Sequence, residues 1–230
     1  MDRRRILWIE FAVVLTLFWL PVTVSGLSAY FFPSITTASI GWESEVGRLV
    51  SNIAVIVPLL FIIYASADDP KSFGLKLFGV AKTILLAIAT LVVLRFSYAL
   101  VYVSLHAVTP DSVAISRQIA RHNVGRPIPG PAIWVFRLLI FLLSAFEEEL
   151  IWRGYTLTRL NELLGNRWAA LIVSSALFAI YHIYEGLTFL PIVFVHGIIF
   201  GLVRTWSGSL APGTLAHTIY NCLSMAARTS

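Results

Sequence analysis

Long apolar stretches alternate with short polar segments along the whole chain. A helix that crosses a bilayer needs about 20 mostly apolar residues. By that rule the pattern predicts seven transmembrane helices. They lie near residues 6–30, 49–67, 83–105, 131–152, 168–185, 188–206 and 209–227. The predicted fold class is therefore all-α, a polytopic membrane helix bundle whose buried polar side chains face the bundle interior.

The composition is that of an integral membrane protein. Hydrophobic residues make up 58% of the chain and charged residues 13%, with a mean hydropathy of +0.83, whereas a soluble domain carries about 25% charged residues. We expect a single integral membrane domain over 1–230, with three spans in 1–130 and four in 131–227. The apolar run after MDRRR is longer than the core of a signal peptide, so we expect it to persist as the first helix.

The positions of lysine and arginine predict the orientation of the chain. Cytoplasmic loops carry an excess of these residues, and most of them share one side if the N-terminus is cytoplasmic. With this orientation the cytoplasmic side contains Arg3–Arg5, Lys71, Lys76, Lys82, Arg159, Arg167 and Arg204. The outer side contains Arg117, Arg121 and Arg126. We therefore expect a multi-pass protein of the cell (plasma) membrane with a cytoplasmic N-terminus. The net charge of +5 then reflects residues beside the membrane, not a nucleic-acid partner.

Charged residues interrupt the fourth predicted span. The run PAIWVFRLLIFLLSAF contains one charge, and Glu147, Glu148 and Glu149 follow it directly, with Arg153 four residues further on. A charge in hydrocarbon costs on the order of several kcal/mol, so it persists for a functional reason or because it lies outside the hydrocarbon. Taken alone, the three glutamates are also compatible with a solvated helix end.

A helical hairpin brings one of these glutamates level with a histidine. The polar segment 154–167 leaves the membrane, and Gly165-Asn166 is a typical helix stop. Glu148 lies seventeen residues before Gly165 and His182 seventeen after it. At ~1.5 Å per residue, both are about 25 Å from the turn and therefore side by side. A carboxylate beside an imidazole is a pair that can activate water.

The last predicted span carries a second polar pair. His217 and Asn221 are four residues apart and so share one face of a helix. Counted from the turn at 207–209, they lie nearer the cytoplasmic surface than His182. A tilted last helix, or a dip at 211–213, would bring them to the same level.

Other polar or small residues in the spans have structural interpretations. A lone intramembrane histidine such as His196 usually forms a hydrogen bond between helices. Gly197 and Gly201 form a GxxxG pattern, which indicates a helix-packing face. We expect Arg95 and Arg137 to extend towards the interface or to pair with a carboxylate.

Three motifs in the last four spans carry a family resemblance. They are, in order, Glu148-Glu149-x-x-x-Arg153, Phe178-x-x-x-His182 and His217-x-x-x-Asn221. With these motifs, residues 131–227 resemble the CPBP family of intramembrane proteases. That family includes the CAAX prenyl endopeptidases of the Rce1 type and bacterial proteins of bacteriocin processing and immunity, the Abi proteins. Because Arg153 fixes the register of the first motif, Glu147 lies outside it.

The resemblance implies an endopeptidase that hydrolyses a peptide bond within or beside the membrane. Glu148, as general base, would activate water together with His182. His217 and Asn221 would hold the oxyanion of the tetrahedral intermediate. The resemblance also implies a membrane-anchored peptide or protein substrate, either a prenylated CAAX-like tail or a leader or bacteriocin-type peptide.

The resemblance assigns supporting roles to three further residues. Glu149 and Arg153 would form a pair that positions helices and tunes the catalytic glutamate, and Phe178 would pack beside them. We find no GxSG serine motif and no GxGD aspartate motif of other intramembrane protease classes.

The sequence leaves open whether the site binds a divalent metal such as zinc. Glu148, His182 and His217 could supply a His₂Glu site with one position left for water. The sequence lacks HExxH, however, and the two histidines lie on different predicted helices. We expect metal-free chemistry, which would use the same residues.

Two other classes of function fit the same polar residues. One is a non-catalytic membrane scaffold or bacteriocin-immunity protein, which would keep its phenotype after Glu148→Ala or His182→Ala. The other is a transporter, although the sequence shows no paired repeat of broken helices.

Overall fold

The computed structural model of the protein describes residues 2–31, 42–110 and 131–229. These residues form nine α-helices, some joined by short π-helical or 3₁₀ turns, and no strand. The helices are α1 (Arg3–Val14), α2 (Leu20–Phe31), α3 (Trp42–Ala65), α4 (Val80–Val108), α5 (Pro131–Glu149), α6 (Leu157–Leu164), α7 (Arg167–Tyr181), α8 (Leu190–Ser207) and α9 (Ala211–Thr229). The predicted all-α fold is confirmed.

Each predicted span coincides with a helical segment. By length and composition, four helical segments of the described chain could cross a membrane, and Arg167–Tyr181 is a shorter apolar helix. The four are Arg3–Ser28, Glu45–Ala65, Val80–Val108 and Leu187–Ser207. The protein is thus an integral membrane helix bundle, whereas seven crossings stay a prediction. Arg117, Arg121 and Arg126, which run against the predicted orientation, lie outside the described residues.

Two of the helical rods contain a π-helical turn. Leu15–Trp19 joins α1 to α2, and Leu150–Thr156 joins α5 to α6. The second rod ends at Gly165, which has a left-handed φ of 64°. Asn166 then begins α7, since its side chain accepts hydrogen bonds from the backbone N–H groups of Trp168 and Ala169. The predicted hairpin therefore turns where the sequence indicated, because glycine tolerates this backbone conformation and asparagine caps the next helix.

The last helix lies at the centre of the helix contacts. α9 packs against α4, α5 and α8, while α8 also packs along α7 and α4. On the other side, α5 packs against α3, and α2 contacts the 3₁₀ turn Ile183–Glu185 that follows α7. This arrangement brings the end of α5, the end of α7 and the first half of α9 together.

The GxxxG pattern of α8 is a packing face, as predicted. A methyl group at Gly197 would lie 2.8 Å from Ser175 Cβ, and one at Gly201 would overlap the Leu171 side chain. Both neighbours belong to α7, so the two glycines allow α7 and α8 to approach closely. His196, beside them, is buried and packs edge-on against the Tyr220 ring of α9, with ring centroids 5.2 Å apart, while its predicted hydrogen bond between helices stays a prediction.

We predict that Gly197→Ala lowers the free energy of unfolding by about 1–3 kcal/mol, since the added methyl group overpacks the α7–α8 contact. The matched control is Gly47→Ala in α3, where a methyl group would meet nothing within 4 Å. There the loss of backbone freedom in the unfolded chain should stabilise the protein by about 0.5–1 kcal/mol. Unfolding in mixed detergent micelles, followed by circular dichroism, compares the two; equal effects would contradict the packing assignment.

A buried arginine ties the N-terminal helices to the rest of the bundle. Arg159 in α6 has an exposed fraction of 0% and lies 2.7 Å from Asp68, 3.0 Å from Glu10 and 3.1 Å from Glu162. We call these four residues the Arg159 cluster. Burial lowers the pKa of Arg159, but the hydrogen bond to Asp68 and the Glu10 and Glu162 carboxylates outweigh it and raise this pKa above its usual value. The guanidinium is therefore charged, and it connects α1, the end of α3 and α6.

The turn between α8 and α9 is buried. Ser209 and Leu210 have exposed fractions of 1% and 3%. The backbone N–H of Leu210 donates to the Gly74 carbonyl at 3.1 Å, and the Ser209 hydroxyl donates to the Lys76 carbonyl at 2.7 Å. The loop after α3 thus covers this turn.

The two intramembrane arginines have different environments. Arg137 lies 3.2 Å from the Glu45 carboxylate, with both side chains buried between α5 and α3. The predicted pairing with a carboxylate is therefore confirmed for Arg137. Arg95 is exposed on α4.

Candidate active site

Glu148 lies between two histidines from other helices. It is the second-last residue of α5, whereas His182 follows α7 directly and His217 lies in α9. Glu148 Oε2 is 3.6 Å from His182 Nε2 and 3.7 Å from His217 Nε2. All three side chains are mostly buried, and this oxygen has no hydrogen-bond partner in the described part of the chain. The structure therefore brings together the glutamate and both predicted histidines.

His182 is held in one orientation by the helix that precedes it. Its Nδ1 lies 3.0 Å from the backbone carbonyl of Phe178, one turn earlier in α7. A carbonyl oxygen can only accept, so Nδ1 carries the hydrogen and donates it. In the neutral ring, Nε2 is then an acceptor that faces Glu148. The Phe178 ring also packs edge-on against the imidazole, with ring centroids 4.6 Å apart.

Glu149 and Arg153 form an ion pair behind Glu148. Arg153 Nη1 lies 3.3 Å from Glu149 Oε1, and the two side chains have exposed fractions of 2% and 1%. The guanidinium also lies over the Phe178 ring at 4.0 Å and the Phe200 ring at 5.0 Å. Phe178 therefore contacts both Arg153 and His182, and so links the first two sequence motifs.

The chain between Glu149 and α6 is π-helical. This turn, Leu150–Thr156, contains Arg153 and is buried throughout. π-helical turns are rare in proteins, and those that occur often lie at functional sites. Gly154 lies in it, and a methyl group there would be 3.0 Å from the Phe73 carbonyl. The glycine thus allows the loop after α3 to contact the helix that carries the charged motif.

The turn before α9 is buried, and His217 lies beside Glu148. Counting residues from a surface turn placed His217 too near the cytoplasmic face. The structure places His217 Nε2 3.7 Å from Glu148 Oε2, and the Ser209–Leu210 turn before α9 is buried under the loop that contains Gly74. The turn from which that count starts is therefore covered by a contact between distant parts of the chain.

Asn221 does not join the other site residues directly. It lies one turn after His217 in α9 and is half-buried. Among the described residues, its side chain makes no hydrogen bond with Glu148, His182 or His217. Its contact with an oxyanion stays a prediction.

The motifs did not indicate two of the residues around the site. Phe200 of α8 stacks on the His217 ring with centroids 5.0 Å apart. Asn52 of α3 donates to Glu147 Oε2 at 2.7 Å and accepts from the Ser144 hydroxyl at 2.9 Å, in the amide orientation that satisfies both groups. Asn52 is the one carboxamide in the apolar run 49–67, but it belongs to none of the three motifs. Glu147 therefore faces α3, away from the two histidines.

The donor set around Glu148 fits a metal by chemistry but not by geometry. One carboxylate and two imidazoles are typical zinc ligands. A carboxylate oxygen and an imidazole nitrogen on one tetrahedral zinc lie about 3.3–3.5 Å apart, from bonds of about 2.0–2.2 Å, and the two separations here, 3.6 Å and 3.7 Å, are slightly wider. No group of three or more His, Cys, Asp or Glu side chains among the described residues is arranged to hold a metal ion. We therefore derive no step through a metal.

Together, the fold and the site define a class: a multi-pass membrane helix bundle with a glutamate and two histidines in its interior. Residues 130–223 match the family model described as type II CAAX prenyl endopeptidase Rce1-like. All three motifs lie within that segment. The resemblance inferred from the motifs is confirmed by this match, which covers residues 130–223.

Two curated relatives extend the comparison. The chain is 26% identical over 133 residues to the membrane-embedded CAAX protease MroQ of Staphylococcus aureus, covering 56% of this chain and 53% of the relative. It is 25% identical over 197 residues to an uncharacterised protein of Mycoplasma capricolum, covering 80% of this chain and 56% of the relative. The chain therefore spans about half the length of the curated relatives it matches. No solved structure matches it.

Proposed function

We propose that the protein is an intramembrane endopeptidase that hydrolyses a peptide bond of a membrane-associated substrate, using water activated by Glu148 and His182. The observation that carries the proposal is the 3.6 Å separation of Glu148 Oε2 and His182 Nε2. That separation is too long for a strong direct hydrogen bond, and one water about 2.8 Å from each atom would bridge them. The family match over 130–223 supports the same reaction class.

In this reaction Glu148 is the general base. Its carboxylate takes one proton from the water, while His182 Nε2 accepts a hydrogen bond from the other hydrogen. The water oxygen bonds to the carbonyl carbon, and the carbonyl becomes an oxyanion. When the C–N bond breaks, Glu148 returns its proton to the leaving amine. The products are a carboxylic acid and an amine, and Glu148 is again ionised.

The oxyanion needs donors on the other side of the reacting carbon. We assign this role to His217 and Asn221. His217 Nε2 donates only when the ring is doubly protonated, because its Nδ1 faces Glu149. A charged imidazole beside the oxyanion would stabilise it in a site from which water is mostly excluded.

The substrate class follows from the surroundings of the site. A peptide must reach Glu148 inside a membrane bundle, so we propose a membrane-anchored peptide or protein. A prenylated CAAX-like tail is one candidate, supported by the name of the Staphylococcus aureus relative, and a leader or bacteriocin-type peptide is the other. We further propose the cell membrane as the location, with the N-terminus in the cytoplasm.

The test is proteolysis by the purified protein in liposomes. A set of farnesylated CAAX peptides and unlipidated leader peptides is incubated with the protein, and products are identified by mass spectrometry. Cleavage at a defined bond supports the proposal. If no peptide of either class is cleaved by protein that is folded by circular dichroism, the scaffold or immunity interpretation replaces it.

We predict that metal removal leaves this activity within about twofold of the untreated protein, because Glu148 and His182 activate the water without a Lewis acid. The measurement compares kcat after dialysis against EDTA and 1,10-phenanthroline with kcat after mock dialysis. Loss of activity that added zinc restores would contradict metal-free chemistry and identify Glu148, His182 and His217 as ligands.

A further inference from the structure

We propose that Glu149 is a positioning residue that sets the orientation of His217, and that Gly213 is a glycine because this carboxylate needs its space. This inference rests on the proposed peptidase function. It assigns Glu149 a role through His217, where the resemblance implied a pair with Arg153 that positions helices and tunes Glu148.

The Glu149 carboxylate joins two of the motifs. Its Oε1 lies 3.3 Å from Arg153 Nη1 and 3.4 Å from His217 Nδ1. An almost fully buried carboxylate is costly unless it is paired, and here the arginine supplies the partner. The ion pair therefore fixes a negative charge at one edge of the His217 ring.

This charge decides which way the imidazole faces. The ring lies against Phe200, with an angle of 28° between the two planes. Stacking restricts the plane of the ring but does not distinguish its two edges. Glu149 beside Nδ1 does distinguish them, because Nδ1–H is attracted to a carboxylate and a ring carbon is not. Nε2 is thereby directed towards Glu148, 3.7 Å away.

Gly213 lies against the other oxygen of the same carboxylate. A methyl group at Gly213 would be 2.8 Å from Glu149 Oε2 and 3.4 Å from its Cδ. The glycine is not required by its backbone, since the glycines with positive φ are Gly74, Gly79, Gly165, Gly186 and Gly208. Glycine is disfavoured relative to alanine within a helix. Space for the carboxylate is the observed reason for it.

The position of Gly213 also suits a negative charge. It is the third residue of α9, one turn before His217. The first turn of a helix has backbone N–H groups without intrahelical acceptors, and the helix dipole favours an anion there. The carboxylate is therefore paired with Arg153 and lies beside the start of α9 while it orients His217.

The experiment is a double-mutant cycle between these two positions. Gly213→Ala should push the carboxylate away from His217 and lower kcat about 10–100-fold, the usual range for a residue that orients a catalytic group, with KM within about twofold. Glu149→Asp withdraws the carboxylate by about one C–C bond, ~1.5 Å, and so vacates the space of the new methyl group. Adding Gly213→Ala to Glu149→Asp should then lower kcat by no more than about twofold. If Gly213→Ala lowers kcat by the same factor in the wild type and in Glu149→Asp, the proposal is overturned.

A second readout does not depend on activity. The imidazole ¹⁵N shifts of His217, assigned by their loss in His217→Asn, report which ring nitrogen carries hydrogen. We expect protonated Nδ1 in the wild type and a changed pattern in Gly213→Ala; unprotonated Nδ1 in the wild type overturns the proposal even if no substrate is cleaved. Gly47→Ala, with no neighbour within 4 Å, should change neither measurement. If the Gly213→Ala protein does not accumulate, the double variant with Glu149→Asp should accumulate, because its carboxylate no longer meets the new methyl group. A double variant that also fails to accumulate counts against the proposal.

Discussion

Glu148→Gln should lower kcat for peptide cleavage by about 10²–10⁴-fold, the contribution typical of a general base. The amide has nearly the same size as the carboxylate, so the packing of α5 is kept. It cannot accept the proton of the attacking water, although it can still form a hydrogen bond. The measurement is kcat and KM in liposomes for the peptide that the wild type cleaves best. We expect KM to change little, because the bound water, not the peptide, loses its partner.

The matched control is Glu147→Gln, one residue earlier on α5. Glu147 faces Asn52 and Ser144 instead of the histidines, and a glutamine there can still accept the hydrogen bond from Asn52. We expect kcat within about threefold of the wild type, since the change alters one hydrogen bond outside the proposed reaction. Should both variants cleave at the wild-type rate, Glu148 is not the base, and the scaffold interpretation becomes the better account of the fold.

Arg159→Met should lower the free energy of unfolding by about 3–5 kcal/mol, the range found when one partner of a buried ion pair is removed. The substitution leaves the carboxylates of Glu10, Asp68 and Glu162 close to one another, and of the described residues only the exposed Arg3 still lies beside Asp68. Denaturation in mixed detergent micelles, followed by tryptophan fluorescence, measures this change. The protein that remains folded should cleave normally, because Arg159 does not contact Glu148, His182 or His217.

Arg3→Met is the matched control for the charge itself. Arg3 binds the same carboxylate, Asp68, at 2.8 Å, but its side chain has an exposed fraction of 72%. An exposed ion pair contributes about 0–1 kcal/mol, so this variant should be nearly as stable as the wild type. A loss of equal size in both variants would mean that burial is not what makes Arg159 important.

Local rules predicted the parts of the site that depend on one hairpin. Glu148 and His182 meet because each lies seventeen residues from Gly165, and helix geometry fixes the rest. The packing role of Gly197 is also local, since small residues four apart always share a helix face. Such features need no information about distant parts of the chain.

The remaining parts depend on contacts between distant segments. The turn that precedes the helix of His217 is held by the hydrogen bond between Leu210 and Gly74, which are far apart in sequence. The partner of Glu147 is Asn52 on another helix, and no spacing rule connects the two. The π-helical turn after Glu149 has a sequence that fits an ordinary α-helix equally well. These features arise from packing, so helix periodicity could not predict them.

The loop over the α8–α9 turn limits how the domain can be divided. The family match begins at residue 130, yet the acceptors for the Leu210 amide and the Ser209 hydroxyl are the carbonyls of Gly74 and Lys76. A fragment that began at residue 130 would leave these donors of a buried turn without acceptors, at about 1–3 kcal/mol each. The matched segment 130–223 therefore depends on the first half of the chain and is not expected to fold independently. A chimaera that keeps residues 130–223 must therefore also contain an N-terminal half whose backbone supplies two carbonyl acceptors for this turn.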